Sequence, residues 1–341
     1  MQINTLRGLA CVLLVLFHVV GNNSASGLRL PADHWLAQAN AALAYLRMPL
    51  FAVIAGYVYA IRPVGPHWLT FAGGKLRRLL LPMLTLGTLF GLTQMATPGV
   101  NAQGEGSPLM MHIVPVGHLW FLQAMLLIFA LTVVLERVRL LDTLASTLLV
   151  LVIATGLFAL ARVPHYFSFD GALFLLPFFI GGLAARRFKL NGRAGAAGAA
   201  FVLLVCLALL VDAPLERPVD AIVRICIGLA AAWLLFVARL RWAPLEWVGQ
   251  HSYGIFLMHV FFTATTRIVM QKLGVDNLAV LVPLGVMAGV AGPVLVMRLL
   301  DHAPWLRMAL LGEKLPAGAR HAKPAPVAPL HHSHPRQDAG R

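Results

Sequence analysis

The chain has 341 residues, of which 59% are hydrophobic and only 12% are charged. A soluble domain carries about 25% charged residues, so this composition excludes an ordinary soluble protein and indicates a polytopic membrane protein. The formal net charge of +14 does not indicate nucleic-acid binding, because the basic residues lie at the ends of apolar segments. Cys11, Cys206 and Cys226 lie inside apolar segments with no CxxC pattern, which predicts small buried residues and neither a disulfide framework nor a metal site.

The first apolar segment, residues 6–20, is the most informative part of the chain because it contains two ionisable residues, Arg7 and His18. In an α-helix these two side chains lie on one face, about 16 Å apart along the axis. If Arg7 marks one edge of a hydrocarbon core about 30 Å thick, His18 lies near the middle of the membrane. An ionisable residue at that depth indicates a functional site.

Two simpler interpretations of this segment stay open. It has features of a secretory signal peptide, with Arg7 as the charged start, residues 9–20 as the apolar stretch and residues 24–26 as a small-residue cleavage site. His18 alone could be a polar residue that forms a hydrogen bond between helices. The histidine inside the apolar stretch and the many apolar segments that follow favour a membrane-spanning helix.

Ten apolar segments predict an all-α membrane protein with about ten transmembrane helices. They cover residues 6–20, 41–61, 79–96, 113–135, 144–161, 171–185, 194–211, 221–238, 252–273 and 278–300. A short amphipathic piece at residues 244–250 precedes the ninth segment. Residues 1–300 are therefore predicted to form one transmembrane domain, and residues 301–341 a basic cytoplasmic tail that is largely disordered after about residue 316.

Basic residues are distributed unevenly between the loops on the two sides of the predicted membrane domain. One set of loops contains Arg62, Lys75, Arg77, Arg78, Arg137, Arg139, Arg186, Arg187, Lys189, Arg193, Arg239 and Arg241, and the other contains Arg29, Arg162 and Arg217. The positive-inside rule then predicts that both termini are cytoplasmic, with the loops at residues 24–40 and 97–112 on the opposite side.

Several short motifs recur in a fixed order along these segments. They are the Arg7–His18 pattern in the first segment, Met48–Tyr57, Lys75–Pro82, His118–Leu122 and Ser252–His259. Together they resemble the acyltransferase-3 family of integral-membrane O-acyltransferases over about residues 3–300. The Arg-Met-Pro-Leu-Phe run is most similar to the branch of that family described as fucose 4-O-acetylase-like.

Ala55 departs from the pattern of the family that the chain resembles. In that family the second-helix motif usually ends in Ser-Gly followed by Phe or Tyr, whereas this chain has Ala55, Gly56 and Tyr57. A hydroxyl at that position is therefore absent. Gly56 still allows two helices to approach closely.

The resemblance implies a multi-pass acyltransferase of the cell inner membrane that moves an acyl group from cytoplasmic acyl-CoA to a carbohydrate hydroxyl. Acetyl-CoA is the expected donor, and a cell-surface or lipid-linked carbohydrate is the expected acceptor; polysaccharide-assembly proteins are possible partners. The phosphates of CoA require cations at the cytoplasmic mouth, and Arg7, Lys75, Arg77 and Arg78 are the candidates. The last three could instead be ordinary positive-inside charges.

Two catalytic residues follow from the same resemblance. His18 is predicted to be the general base, because a neutral imidazole near pH 7 accepts the proton of an attacking hydroxyl. Arg7 is predicted to hold the donor beside it. The oxyanion of the tetrahedral intermediate needs a hydrogen-bond donor or a positive charge, and the candidates are His118, Trp120, Tyr253 and His259. These four could also be interface aromatics and interhelical hydrogen-bond partners.

Other functions have less support in the sequence. There is no Gly-rich phosphate loop and no Gly-x-Ser-x-Gly pattern, so direct transfer is favoured over an acyl-enzyme. His331, His332 and His334 are expected to lie in a solvated tail. A proton-coupled secondary transporter of a small metabolite or glycan precursor and a scaffold for polysaccharide export are the competing hypotheses, although the basic mouth beside Arg7 favours the enzyme.

Overall fold

The computed structural model describes residues 2–21, 23–98, 100–101, 108–114, 117–190, 192, 195–210 and 215–315. Its regular elements are all helical, which confirms the predicted all-α class. The segment after residue 316 that was predicted to be disordered, and with it His331, His332 and His334, lies outside the described residues.

Thirteen α-helices occur in the described part of the chain. They are α1 (Gln2–Val20), α2 (Trp35–Ala42), α3 (Ala44–Tyr59), α4 (Trp68–Lys75), α5 (Leu81–Ala96), α6 (Trp120–Arg137), α7 (Leu144–Leu160), α8 (Phe169–Arg187), α9 (Ala196–Ala208), α10 (Val219–Ala238), α11 (Ala243–Lys272), α12 (Leu278–Leu300) and α13 (Pro304–Leu311). A π-helical segment, Leu76–Leu80, joins α4 to α5, and short 3₁₀-helices cover Pro108–His112, Gly117–Leu119 and Tyr166–Ser168.

Local sequence signals mark several helix ends. The side chains of His34, Thr143 and Asn277 accept hydrogen bonds from backbone N–H groups in the first turns of α2, α7 and α12. Proline stands in the first turn of α11 and of α13, where a backbone N–H would have no partner within the helix, so its absence does not destabilise the helix. Gly21 ends α1 with a left-handed φ of 77°, a conformation that glycine adopts without strain.

Eight helical units in the described residues are long and apolar enough to cross a membrane. The fifth and seventh predicted segments instead form shorter apolar helices, α7 with 17 residues and α9 with 13. At 1.5 Å per residue, these two helices are about 26 and 20 Å long. The protein is therefore a multi-pass membrane protein in which eight of the ten predicted spans have the expected length and composition.

The helix directions agree with ten alternating passes. α1 is parallel to α11 and antiparallel to α12, α3 is parallel to α10, α7 is antiparallel to α8, and α9 is antiparallel to α10. The neighbouring pairs that show this are Cys11 with Ser252, His18 with His259, Val15 with Gly289, Val19 with Gly285, Pro49 with Gly228, Tyr57 with Phe236, Leu141 with Arg187, Phe158 with Phe174, Gly195 with Trp233 and Cys206 with Cys226. The short helices α7 and α9 thus run in the directions expected of the fifth and seventh passes.

α1 and α11 approach each other closely because each has a glycine at the crossing. A Cβ atom on Gly8 would overlap the backbone carbonyl of Leu245, and one on Gly249 would overlap that of Asn4. Such close backbone contact is typical of membrane helices with small residues at the interface. This crossing fixes the position of α1 against α11, on which the functional residues lie.

The largest buried cluster lies between α3, α6, α8 and α10, and its centre is formed by Leu50, Phe178 and Phe179. Gly56 packs directly against the backbone of α8, which confirms the close approach expected of it. A half-buried ion pair between Arg187 and Glu136, with an Nη2–Oε1 distance of 2.5 Å, ties α8 to α6 at one end of this cluster.

Two local predictions need correction. Arg77 and Arg78 lie in the π-helical segment, which continues into α5, and not in a loop before it. The amphipathic piece at 244–250 and the ninth span form one helix, α11. In the predicted tail, α13 packs against α5, where Thr85 Oγ1 donates to the carbonyl of Ala309 at 2.8 Å.

Candidate functional site

Three histidines from distant parts of the chain meet between α1, α6 and α11. His18 lies in the last turn of α1, His118 in the 3₁₀-helix before α6, and His259 near the middle of α11. The ring centroids are 4.8 Å apart for His18 and His259, 4.9 Å for His118 and His259, and 5.8 Å for His18 and His118. The sequence analysis identified each of them, and the fold brings all three together.

Backbone carbonyls determine how two of these rings are protonated. His118 Nε2 lies 3.2 Å from the carbonyl oxygen of Leu257, and His259 Nδ1 lies 3.0 and 2.9 Å from those of Ile255 and Phe256. A carbonyl oxygen only accepts hydrogen bonds, so these nitrogens carry the hydrogen of a neutral ring. His118 Nδ1 and His259 Nε2 are then bare acceptors, and both are buried without a partner among the described residues.

This arrangement does not fit the predicted role of His118 and His259 as oxyanion donors. An oxyanion must receive a hydrogen bond, whereas the two inward-facing nitrogens can only accept one. They are suited to a different task, which is to accept a hydrogen bond from a protonated neighbour or from a substrate hydroxyl.

His18 is the third member of the cluster and, like His118, it borders two cavities. Its ring packs edge-on against Phe17 at 5.0 Å, and it has no hydrogen-bond partner among the described residues. His18 lies in the last turn of α1, and its predicted depth near the middle of the membrane stays a prediction. A ring without a fixed partner, facing a cavity, is available to a substrate.

Two cavities meet at His18 and His118. The first, of about 280 Å³, is bounded by the loop after α1 and the ends of α5 and α11. Its polar lining consists of His18, His118, the buried Arg267 and a larger set of hydroxyl and amide side chains: Ser26, Thr93, Gln94, Thr97, Asn101, Thr263, Thr265 and Thr266. We call it the threonine cavity.

The second cavity, of about 440 Å³, lies between α1, α3, α6 and α10. Arg47 and Arg224 contribute its cations, so we call it the arginine cavity. The sequence analysis did not select either residue. Arg47 belongs to the Arg-Met-Pro-Leu-Phe run near the start of the second apolar segment, and Arg224 is the one basic residue inside the eighth. A basic residue inside an apolar segment is the sequence signal that could have identified both.

Trp120 and Tyr253, the other two oxyanion candidates, lie in different places. Trp120 lines the arginine cavity together with His18, so it stays a candidate donor at the reaction centre. Tyr253 lies about 9 Å along α11 from His259, toward the Arg7 end of α1. Its hydroxyl donates to the backbone carbonyl of Arg78, and its predicted role beside His18 does not fit this position.

A third cavity, of about 280 Å³, opens at the end of the bundle that carries Arg7, and we call it the Tyr253 cavity. Arg78 lies over the Tyr253 ring, with Cζ 5.1 Å from its centroid. Arg298 of α12 lines the same cavity and has no ion-pair partner in the described part of the chain. Arg307 also lines it but is paired with Asp301 and Glu313. Arg298 was not predicted, because a basic residue ending an apolar helix is common.

The remaining predicted donor-binding cations differ in surroundings. Arg7 is half-buried and close enough to Arg78 for their charges to interact. Lys75 turns its ammonium group toward the Phe129 ring, with 3.4 Å to the centroid. Arg77 donates from Nε to the carbonyl of Gly312 at 3.0 Å. Arg7 and Arg78 therefore lie close together, whereas Lys75 and Arg77 contact other parts of the protein through an aromatic ring and a backbone hydrogen bond.

Aromatic rings lie between the Tyr253 cavity and the histidine cluster. The Phe121 and Phe256 ring centroids are 5.4 Å apart, and Phe51 lies 6.0 and 6.4 Å from them. These rings pack in the same buried cluster as Tyr253, while Phe256 also borders the arginine cavity. A molecule that reached His18 from the Tyr253 cavity through this cluster would displace these rings.

No group of three or more His, Cys, Asp or Glu side chains within the described ranges could hold a metal ion. The site is built from three histidine rings, nearby arginines and two converging cavities.

Comparison with known proteins adds one finding. The family model described as an acyltransferase domain matches residues 2–298. No curated protein and no solved structure matches the chain. The matched region includes the three histidines, both cavities that meet at them, and the arginines of the π-helical segment. The chain belongs to the acyltransferase-3 family of membrane acyltransferases.

Proposed function

We propose that this membrane acyltransferase is an O-acetyltransferase that moves an acetyl group from cytoplasmic acetyl-CoA to a carbohydrate hydroxyl. The observation that carries the proposal is the cluster of His18, His118 and His259 at the point where two cavities meet. General-base transfer to a hydroxyl requires a neutral imidazole that substrate can reach, and His18 meets this requirement.

The donor is proposed to bind at the Tyr253 cavity. CoA carries several phosphates, and Arg78, Arg298 and the nearby Arg7 supply cations at that end of the bundle. The positive-inside rule assigns this end to the cytoplasm, where acyl-CoA is made available. From there the pantetheine arm extends toward His18 past Phe51, Phe121 and Phe256, and these rings have to move to admit the thioester.

The acceptor is proposed to bind from the opposite end, in the threonine cavity. Carbohydrates present many hydroxyl groups, and this cavity presents hydroxyl and amide side chains that can donate and accept hydrogen bonds with them. His18 lies at its inner end. The acceptor is thus a glycan outside the cytoplasmic membrane, or a lipid-linked precursor of one.

Transfer is proposed to be direct. The acceptor oxygen attacks the thioester carbonyl carbon while His18 takes the proton of the hydroxyl. The tetrahedral intermediate then collapses with formation of the ester and cleavage of the C–S bond, and the CoA thiolate takes the proton back from His18. While His18 is an imidazolium, the bare His118 Nδ1 and His259 Nε2 can accept hydrogen bonds from it.

The test uses purified full-length protein in lipid nanodiscs with acetyl-CoA that is isotopically labelled in its acetyl group. We expect release of CoA thiol that depends on an added cell-surface glycan fraction, with the label recovered as an alkali-labile ester. The His18→Gln variant should bind acetyl-CoA and release no thiol. Failure of the wild-type protein to bind acetyl-CoA would contradict the proposal.

A further inference from the structure

Arg47 is a buried cation with no acidic partner. Only 4% of the residue is exposed, and its Nη1 donates to the backbone carbonyl and to Oδ1 of Asn40 at 3.0 and 3.2 Å. Its Cζ lies 3.9 Å from the centroid of the Phe17 ring. No carboxylate among the described residues pairs with it. A charge held away from water without a counter-charge is unfavourable, so this position calls for an anion.

Arg47 lines the arginine cavity, and its bonds to Asn40 use only one of its three nitrogens. The other cation of that cavity, Arg224, is already compensated, because its Nε lies 2.7 Å from Asp220 Oδ2. The titratable and charged groups around the cavity are Arg47, the Arg224–Asp220 pair, Tyr45, His18 and His118. With both imidazoles in the neutral form that a general base requires, the sum is a single uncompensated positive charge.

The cavity is also large enough for a sugar residue and has apolar walls. Its volume is about 440 Å³, and Tyr45 and Trp120 provide aromatic surface on two sides. The Arg224 guanidinium lies over the Tyr45 ring, 5.1 Å from its centroid, which places this second arginine at the edge of the same wall. An apolar pocket with a few placed polar groups is the usual form of a ligand site.

We propose that the arginine cavity is an anion subsite for the acceptor, in which Arg47 binds a single negative charge on the glycan. Arginine holds carboxylate and phosphate oxygens through paired N–H groups, and the net charge of the cavity matches a monoanion such as a uronate or a phosphodiester. His18 borders the same cavity, so an acceptor anchored here presents a neighbouring hydroxyl to the base. This inference rests on the proposed function, because it names the substrate class of the same site.

The experiment measures binding without any acyl donor. Purified full-length protein in nanodiscs is titrated calorimetrically with methyl glucuronide, the methyl phosphodiester of glucose 1-phosphate and methyl glucoside, of which the first two are monoanions and the third is neutral. We expect the wild type to bind one of the anionic sugars about 10- to 100-fold more tightly than the neutral one, the effect of a charge-assisted hydrogen bond. Whichever anion binds more tightly identifies the source of the charge. Equal affinity for all three probes would overturn the proposal without any variant.

Variants locate the effect at Arg47. Arg47→Gln should abolish the preference for the anionic sugar, and Arg47→Lys should retain most of it. Arg162→Gln, at an exposed arginine that lines neither cavity, is the matched control and should leave the preference unchanged. An intact preference in a folded Arg47→Gln protein would overturn the assignment, whatever its effect on transfer.

The outcome is distinguishable from failure of the proposed function. Acetyl transfer to glycan without any preference for anionic probes would support the O-acetyltransferase proposal and contradict the anion subsite. An anion preference that depends on Arg47, in a protein that neither binds acetyl-CoA nor releases CoA thiol, would support the anion subsite and contradict the O-acetyltransferase proposal. Loss of transfer in Arg47→Gln with the probe preference unchanged would instead assign Arg47 to the thioester oxyanion.

Discussion

The imidazole rings of His18 and His259 lie 4.8 Å apart, although one is in the first helix of the chain and the other is in the eleventh. His259 turns a bare, buried Nε2 inward and donates from Nδ1 to its own helix, whereas His18 has no fixed partner and faces two cavities. One ring is held by the fold and the other is available to substrate. Several predictions about catalysis depend on this difference.

Replacement of His18 by glutamine should abolish acyl transfer while leaving donor binding intact. Loss of a general base typically lowers the rate about 10²- to 10⁴-fold, or about 3–5 kcal/mol in the barrier. The measurement is the rate of CoA thiol release together with acetyl-CoA affinity. His165→Gln, at an exposed histidine beside Asp170, is the control. Near-normal transfer in His18→Gln would mean that the base lies elsewhere.

Replacement of His259 by asparagine separates structure from catalysis in the second ring. The asparagine amide can still donate to the carbonyl of Ile255 or Phe256, so thermal unfolding should change little, but the bare Nε2 is lost. We expect the turnover number to fall about 10- to 100-fold, the size of a hydrogen bond to a charged group. Unchanged turnover in a folded His259→Asn protein would show that His259 only packs against His18.

The two adjacent arginines of the π-helical segment should behave differently. Arg78→Ala should weaken acetyl-CoA binding, by roughly 1.5–3 kcal/mol per lost phosphate contact, because Arg78 lines the Tyr253 cavity. Arg77→Ala should instead lower stability, since Arg77 donates to the carbonyl of Gly312. Acetyl-CoA titrations at two salt concentrations and thermal unfolding of both variants measure the two effects. An equal loss of affinity in both would contradict this division.

Alanine at Gly8 should displace α1 from α11 and thereby separate His18 from His259. The added methyl group would overlap the carbonyl of Leu245, and such overpacking typically costs about 1–3 kcal/mol. We expect a lower unfolding temperature together with slower transfer. Gly156→Ala is the matched control, because a Cβ atom there meets no other atom within 4 Å. Equal behaviour of the two variants would show that the crossing does not position the site.

The orientation of the bundle can be tested with reporters. We expect the segment after α3, which carries Arg62, to be cytoplasmic and the segment after α1, which carries Ser24, to lie on the opposite side. Cysteines introduced at these two positions should react oppositely with a membrane-impermeant thiol reagent in intact cells. Labelling of both positions from outside would contradict the alternating passes and the cytoplasmic placement of the donor site.

The fold class and part of the site were predictable from the sequence, for identifiable physical reasons. Apolar segments interrupted by charges are a strong signal, so the helices were expected, and an ionisable residue inside such a segment pointed to His18. His118 and His259 were candidates only through the family resemblance, because their contact with His18 depends on tertiary packing that no local pattern contains.

Arg47 and Tyr253 show where prediction from the sequence ended. Arg47 stands near the start of a predicted span, where arginine normally reaches water, and only its contacts with Asn40 and Phe17 make it buried. Tyr253 and His259 belong to one motif, but about 9 Å of helix separates them and assigns them to different cavities. A sequence motif groups residues that are close along the chain, but it does not show which of their side chains line the same cavity.

The close crossing of α1 and α11 has a consequence for the order of events during synthesis. α1, which carries His18, is synthesised before α11, which supplies its packing surface at Gly249 and its partner His259. Until α11 has been made, the face of α1 that carries Gly8 lacks its helical partner. Chains released before α11 lack His259, so the proposed reaction centre is completed only in molecules whose synthesis has passed that helix.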